Sequence, residues 1–138
     1  MSTTIRPELS QKNRYWIEKH RYYELKHFCL QYPKWEKLVA AIDGFAKQPE
    51  GGIIFSSGST GDPTERAAEA REYYVRLMGM VEQAAAETDL VIGPAIFKAV
   101  TNGMSYDILK ARIDIPCCKD TYYDLYRKFF WVLSKIRK

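Results

Sequence analysis

Apolar side chains recur every three or four residues along most of this chain, which is the spacing of an amphipathic α-helix. The longest such stretch predicts one helix that starts at about residue 62 and ends near Thr88. Its apolar positions are Ala67, Ala70, Tyr74, Leu77, Val81 and Ala84. Asp62, Pro63 and Glu65 supply an N-cap aspartate, a proline in the first turn and a capping-box glutamate. We therefore expect this helix to be the most regular element of the chain.

Two shorter stretches of the same spacing lie in residues 1–46. They meet at Pro33, and Gly44 follows the second one. Their apolar positions are Tyr22, Leu25, Cys29 and Tyr32, then Trp35, Leu38, Val39 and Ile42. Residues 47–61, KQPEGGIIFSSGSTG, break the pattern with glycine, serine and proline, as is typical of a loop. The pattern predicts a pair of basic, aromatic-rich helices followed by a flexible loop.

The last third of the chain predicts three more helices. The string AIFKAV indicates a short helix that Asn102 and Gly103 close. Ser105 is an N-cap for a helix of about two turns, and a further helix runs from about Lys119 to the C-terminus, after a break at 113–116. Its core positions are Tyr122, Tyr126, Phe129, Leu133 and Ile136, with Met104 and Ile115 as wedges at the turn. A short helix, a tight turn and a longer helix form a helix-turn-helix.

Composition favours one folded all-α domain, a helical bundle with a C-terminal helix-turn-helix. The 138 residues are 46% hydrophobic and 28% charged, unlike a disordered chain. We divide the domain into the helical pair 1–46, the loop 47–61, and residues 62–138 with the long helix and the helix-turn-helix. The sequence contains no apolar run of about 18 residues, and residues 1–10 lack the apolar segment of a secretion signal. We therefore expect a cytoplasmic protein without a membrane partner.

No catalytic, cofactor or metal site is expected from the remaining motifs. SSGSTGDP, residues 56–63, looks like the phosphate loop of adenylate-forming enzymes, but Thr64-Glu65 follows it where that loop has a lysine nearby. His20 and His27 lie seven residues apart on one predicted helix, which is weak evidence for a metal site. The three cysteines have no CxxC spacing, which argues against a disulfide framework and a zinc site. We expect no enzyme activity.

Charge is distributed unevenly along the chain. Lys and Arg number eight against five Asp and Glu in residues 1–46, five against eight in 47–98, and eight against four in 99–138. Basic ends fit a surface that faces phosphates. Aromatic and basic residues interleave between positions 14 and 35, which suits single-stranded nucleic acid, although aromatic residues at helical spacing more often form cores and interfaces. We therefore expect a homodimer contact or a contact with RNA polymerase there.

The last predicted helix presents a polar outer side opposite its core positions. The residues on it are Lys119, Asp120, Tyr123, Asp124, Arg127 and Lys128. In a helix-turn-helix, the second helix places early residues against bases in the major groove, while its apolar side is held by the body of the protein. We expect the three basic residues to bind phosphates, and the tyrosine with one of the aspartates to contact bases.

GMSYDILKARIDIPCCKDTYYDLYRKFFWVLSK, residues 103–135, resembles the C-terminal helix-turn-helix of phage transcriptional regulators of the RinA and ArpU type, itself similar to region 4 of sigma factors. The matching residues are Gly103 to Tyr106 before the first helix, Leu109 within it, Ile115 at the turn, and Thr121-Tyr122-Tyr123 leading to Arg127-Lys128. Including the long helix that opens with Asp-Pro-Thr, the resemblance extends over residues 62–138.

The resemblance implies a sequence-specific, duplex-DNA-binding transcriptional regulator of phage or prophage origin that uses residues 105–130 as its helix-turn-helix. Two alternatives remain open. A helical adaptor or assembly protein of a mobile element would bind a protein partner, and its binding would survive high salt. A small DNA-packaging protein would share the helix-turn-helix with the regulator.

Overall fold

The computed structural model describes residues 13–46 and 63–138. Over these residues the chain forms six α-helices and no β-strand, so the predicted all-α class is confirmed. The helices are α1 (Lys19–Leu30), α2 (Tyr32–Ala46), α3 (Pro63–Thr88), α4 (Gly93–Asn102), α5 (Tyr106–Arg112) and α6 (Lys119–Ile136). None of them combines the length and the apolar character that crossing a bilayer requires. The predicted loop 47–61 and the predicted Asp62 cap lie outside the described residues.

The described residues group into two compact units. One contains residues 13–31 and 80–138, and the other contains residues 32–46 and 63–79. α3 runs from the second unit into the first. α1 therefore groups with the C-terminal helices rather than with α2, its neighbour in sequence.

α1 and α6 pack against each other in the first unit. The Tyr22 ring lies 5.1 Å from the Phe130 ring, and its hydroxyl lies 3.1 Å from the Tyr126 hydroxyl. Arg21 donates hydrogen bonds to the backbone carbonyls of Ser134, at 3.3 Å, and of Arg137. The start of α1 therefore lies beside the end of α6. Each buried aromatic side chain contributes roughly 1.5–3 kcal/mol, so α6 is anchored from its buried side.

Five helices of the first unit supply the largest fully buried side chains of the described residues. These are Tyr22, Leu25, Cys29, Val81, Ile96, Leu109, Tyr122, Phe129, Phe130 and Leu133. The predicted core positions Tyr122, Phe129 and Leu133 are confirmed, whereas Tyr126 and Ile136 are only partly buried. Three of the five predicted core positions of α6 are thus buried, and Tyr123, Phe130 and Val132 are buried in addition.

Local backbone chemistry joins α3 to α4 and closes α4. The Asp89 carboxylate accepts hydrogen bonds from the backbone N–H groups two and three residues later, at 2.9 and 2.7 Å. A Cβ at Gly93 would lie 2.4 Å from the carbonyl oxygen of Ala85, so only glycine lets α4 begin this close to α3. Gly103 follows α4 in the left-handed conformation, with φ at 66°, which confirms the predicted C-cap.

The second unit contains α2 and the first part of α3. Tyr32 and Trp35 are buried, with ring centroids 6.4 Å apart. Arg71 donates hydrogen bonds to both carboxylate oxygens of Asp43, with Nε 2.7 Å from Oδ1 and Nη2 3.4 Å from Oδ2. α3 begins at Pro63, as the favoured first-turn proline predicts.

Candidate nucleic-acid interface

α5 is a short helix whose start is defined by its cap. The Ser105 Oγ accepts a hydrogen bond from the backbone N–H of Ile108 at 3.3 Å, so the predicted N-cap is confirmed. The helix is 7 residues long, with Tyr106 and Leu109 buried. Ile108 is on its outer side and is 50% exposed. The helix ends at Arg112, where the chain turns extended at Ile113.

Residues 113–118 connect α5 to α6 and are held by contacts on both sides. Ile115 is buried with 4% exposure, as expected for a wedge at the turn, whereas Met104 is only partly buried. The Tyr106 hydroxyl donates to the backbone carbonyl of Cys117 at 3.1 Å. Cys118 then adopts an extended conformation at the N-cap of α6. The start of α6 is therefore positioned by α5.

Tyr123 corrects one prediction for the outer side of α6. The backbone N–H of Tyr106 donates to the Tyr123 hydroxyl at 3.3 Å, and the two rings lie 6.2 Å apart. Tyr123 is only 7% exposed, so its predicted placement on the outer side is wrong. Position 123 is about 100° around the helix from the core position Tyr122, and the start of α5 covers it. A base contact through this ring is not available in this arrangement.

Two of the three predicted phosphate-binding residues face carboxylates. The Lys119 ammonium lies 3.3 Å from Asp107 of α5, and the Arg127 guanidinium lies 3.8 Å from Asp124. Asp124 is exposed, as predicted. Lys128 is half-buried and forms no ion pair within the described residues. The outer side of α6 is therefore close to neutral over its first turns, because its cations already have anionic neighbours there.

The last turns of α6 carry residues that the sequence reasoning left out. Lys135 places its Nζ 4.4 Å from the centre of the Trp131 ring, and Trp131 lies 5.5 Å from the Tyr15 ring. Arg14 covers the Tyr15 ring at 4.7 Å and donates to its hydroxyl at 2.6 Å. Trp131 and Lys135 are four residues apart on a helix, a spacing that could have indicated that the two side chains are neighbours. For Arg14 the signal was its place in the aromatic and basic stretch 14–35. The contact that brings this segment to α6, between Tyr15 and Trp131, joins positions more than a hundred residues apart.

The cysteines and histidines form no site of their own in the described residues. Cys118 is exposed, and hydrogen bonding to Thr121, whose Oγ1 lies 3.3 Å from the sulfur, lowers its pKa. Burial raises the pKa of Cys29 and, less strongly, that of Cys117. His20 is exposed, and the described residues contain no cluster of three or more His, Cys, Asp or Glu that could hold a metal ion.

Comparison with protein-family models, with curated proteins and with solved structures finds no match to this chain. The resemblance to phage regulators accordingly rests on the residues quoted for it above.

Proposed function

We propose that this chain is a sequence-specific, duplex-DNA-binding transcriptional regulator, with residues 105–130 acting as a helix-turn-helix. The observation that carries the proposal is the way α6 is held. Tyr122 and Phe129 are fully buried, α5 and the 113–118 turn hold its start, and its opposite side is left for a ligand. A recognition helix needs this combination, since it must enter the major groove while its other side stays fixed. The phage or prophage origin is part of the same proposal and comes from the resemblance of residues 103–135.

In this proposal the outer residues of α6 have separate roles. Lys119, Arg127 and Lys128 bind backbone phosphates, and Asp120 or Asp124 accepts hydrogen bonds from cytosine amino groups. Lys119 and Arg127 must exchange a carboxylate neighbour for a phosphate. That exchange costs little, because exposed ion pairs contribute little stability.

The test is a DNA titration with a double variant and a matched control. Arg127→Ala with Lys128→Ala should weaken binding to every duplex sequence and reduce the slope of log K against log salt by roughly 2, at about 0.9 per lost phosphate contact. Lys34→Ala with Lys37→Ala removes the same charge from exposed positions of α2 and should leave the slope near that of the parent. A double variant at 127 and 128 that binds as tightly as the parent would contradict the proposal.

A second candidate, a helical adaptor that binds a protein partner, is favoured by one surface feature. Leu90 is 89% exposed and Val91 is 67% exposed, in the turn between α3 and α4. Asp89 orders the backbone of this turn, so the two apolar side chains are displayed. Leu90→Ser with Val91→Ser should abolish an association that resists high salt, measured by sedimentation of the purified chain alone or with its partner. If these changes leave such an association intact, this turn is not the docking surface.

A further inference from the structure

We propose that the end of α6 and Arg14 together form a second DNA contact, which binds the phosphate backbone beside the major groove. This inference rests on the proposed function and adds residues outside 105–130 to it. The added residues are Arg14, Tyr15, Trp131 and Lys135, and together with Lys128, which the proposed function already includes, they are called the basic-aromatic cluster.

The contacts within the cluster form one continuous chain from the segment before α1 to the last turn of α6. Arg14 lies over Tyr15, Tyr15 meets the edge of Trp131 at an interplanar angle of 60°, and Lys135 lies over Trp131. Lys128, Trp131 and Lys135 are spaced by three and four residues, so they share one side of the helix. The rings thereby hold two flexible cations, Arg14 and Lys135, in defined positions.

The cations of this cluster differ in their surroundings from Lys119 and Arg127. Within the described residues, Arg14, Lys128 and Lys135 form no ion pair, whereas Lys119 and Arg127 each face an aspartate. Arg14 and Lys135 are exposed, so one side of each cation remains open to a ligand. Cations that bind no acid and are already ordered by aromatic rings lose less conformational entropy when they bind a phosphate.

The length of α6 places the cluster where a phosphate backbone would run. The helix has 18 residues and is therefore about 27 Å long, while the major groove is only about 12 Å wide. With its first turns in the groove, its last turns must pass over the edge, where phosphates lie. In homeodomains the end of the recognition helix contacts the backbone in the same general way.

The helix dipole accounts for only part of this cluster. Basic residues in the last turn of a helix interact favourably with its negative end, which explains Lys135. Lys128 lies about two turns earlier, and Arg14 is not on the helix at all. The dipole therefore does not account for Lys128 or Arg14, whereas the proposed phosphate contact does.

Salt titration of DNA binding tests the cluster directly. Arg14→Gln with Lys135→Gln should make log K against log salt less steep by roughly 2, so that the advantage of the parent shrinks about tenfold between 50 and 200 mM salt. The loss should be equal for all duplex sequences, because phosphate contacts carry no sequence information. Lys34→Gln with Lys37→Gln on α2 is the charge-matched control and should keep the parental slope.

A charge-conserving variant separates charge from packing. Arg14→Lys with Lys135→Arg should restore most of the salt slope, and thermal unfolding of each variant reports whether the fold is retained. If the restored charges leave the slope as flat as the glutamine variant does, the cluster acts by packing and the inference is wrong.

The two proposals fail in different ways. If the parent does not bind duplex DNA at low salt, the proposed function is wrong and the cluster contact with it. If the parent binds and the variant at 127 and 128 lowers the slope, but the variant at 14 and 135 does not, only the cluster contact is wrong. An effect of the latter variant confined to single-stranded DNA would also overturn the duplex contact.

Discussion

The two halves of the exposed side of α6 differ in what surrounds their charges. In the first half, Lys119 and Arg127 lie next to Asp107 and Asp124. In the second half, Lys135 lies on the ring of Trp131, and no ion pair forms there with any residue of the described ranges 13–46 and 63–138. The formal charge of a segment therefore does not say which cations a ligand can reach, because neighbouring acids neutralise some of them and aromatic rings hold others in place.

The largest effect is expected from removing the support that both halves share. Phe129→Ala should lower the free energy of unfolding by about 3–5 kcal/mol, since it opens a cavity at a fully buried ring of α6. Urea unfolding measures the change. Lys128→Ala, one position earlier and on the outer side, should change it by less than about 0.5 kcal/mol. Equal effects of the two substitutions would mean that α6 is not held from its buried side.

Alkaline pH should lower the free energy of unfolding through Tyr126, which lies near the midpoint of α6. Burial, and then the neighbouring Tyr22, raise the pKa of Tyr126 well above its usual value of 10.0. Stability that depends on the neutral hydroxyl is therefore complete below about pH 10 and is lost as the pH rises toward the folded-state pKa. For one such tyrosine the slope is about 1.4 kcal/mol per pH unit.

Urea unfolding between roughly pH 8 and 11, a range that brackets the ordinary tyrosine pKa, tests this dependence. Tyr126→Phe should make the alkaline decline shallower, and Tyr73→Phe, at an exposed position of α3, should not. An identical decline in the parent and in Tyr126→Phe would show that another group is responsible.

Two serines, one a cap and one inside α6, distinguish the halves by a smaller change in stability. Ser105→Ala should cost about 1 kcal/mol, because the Ser105 hydroxyl satisfies a backbone N–H at the start of α5, which supports the first half. Ser134→Ala in the second half should cost less than about 0.5 kcal/mol, since its hydroxyl only bonds a carbonyl of its own helix. Thermal unfolding of the two variants compares them, and the reverse order would show that the α5 cap is not a support.

The smallest change in stability is expected when the first half of α6 is made to resemble the second by removing its acids. DNA binding should nevertheless change clearly. Asp107→Asn with Asp124→Asn should leave the free energy of unfolding within about 0.5 kcal/mol. It should strengthen DNA binding at each salt concentration, because Lys119 and Arg127 no longer leave a carboxylate to bind phosphates and two acids that repel DNA are gone.

Glu69→Gln with Glu72→Gln is the matched control, because both positions are exposed on α3 and the same charge is removed. If this control strengthens DNA binding as much, only net charge is acting, and the two halves of α6 do not differ in the way described.

Most of the secondary structure was predictable because its causes are local. The apolar spacing indicated α3 and α6, Ser105 indicated the start of α5, and Gly103 indicated the end of α4. Each of these signals acts within about one or two helical turns. Neighbouring residues supply the hydrogen bonds and the buried side, so the sequence contains the information directly.

The candidate site was only partly predictable because its causes are distant in sequence. Asp120 and Asp124 lie outward as expected, since helical spacing alone places them. Tyr123 lies inward because the start of α5 covers it, and helical spacing does not contain that contact. Lys119 meets a carboxylate that belongs to another helix, Asp107. Charge and spacing describe each helix separately, whereas accessibility depends on the neighbouring helix.

Local rules thus determine which residues of this chain are helical and which side of each helix is apolar. The grouping of α1 with α6, the burial of Tyr123 and the contact of Tyr15 with Trp131 follow only from packing. The physical reason is that burial of apolar area is not directional. An apolar stripe specifies that a side chain must be covered, and the tertiary structure specifies by what.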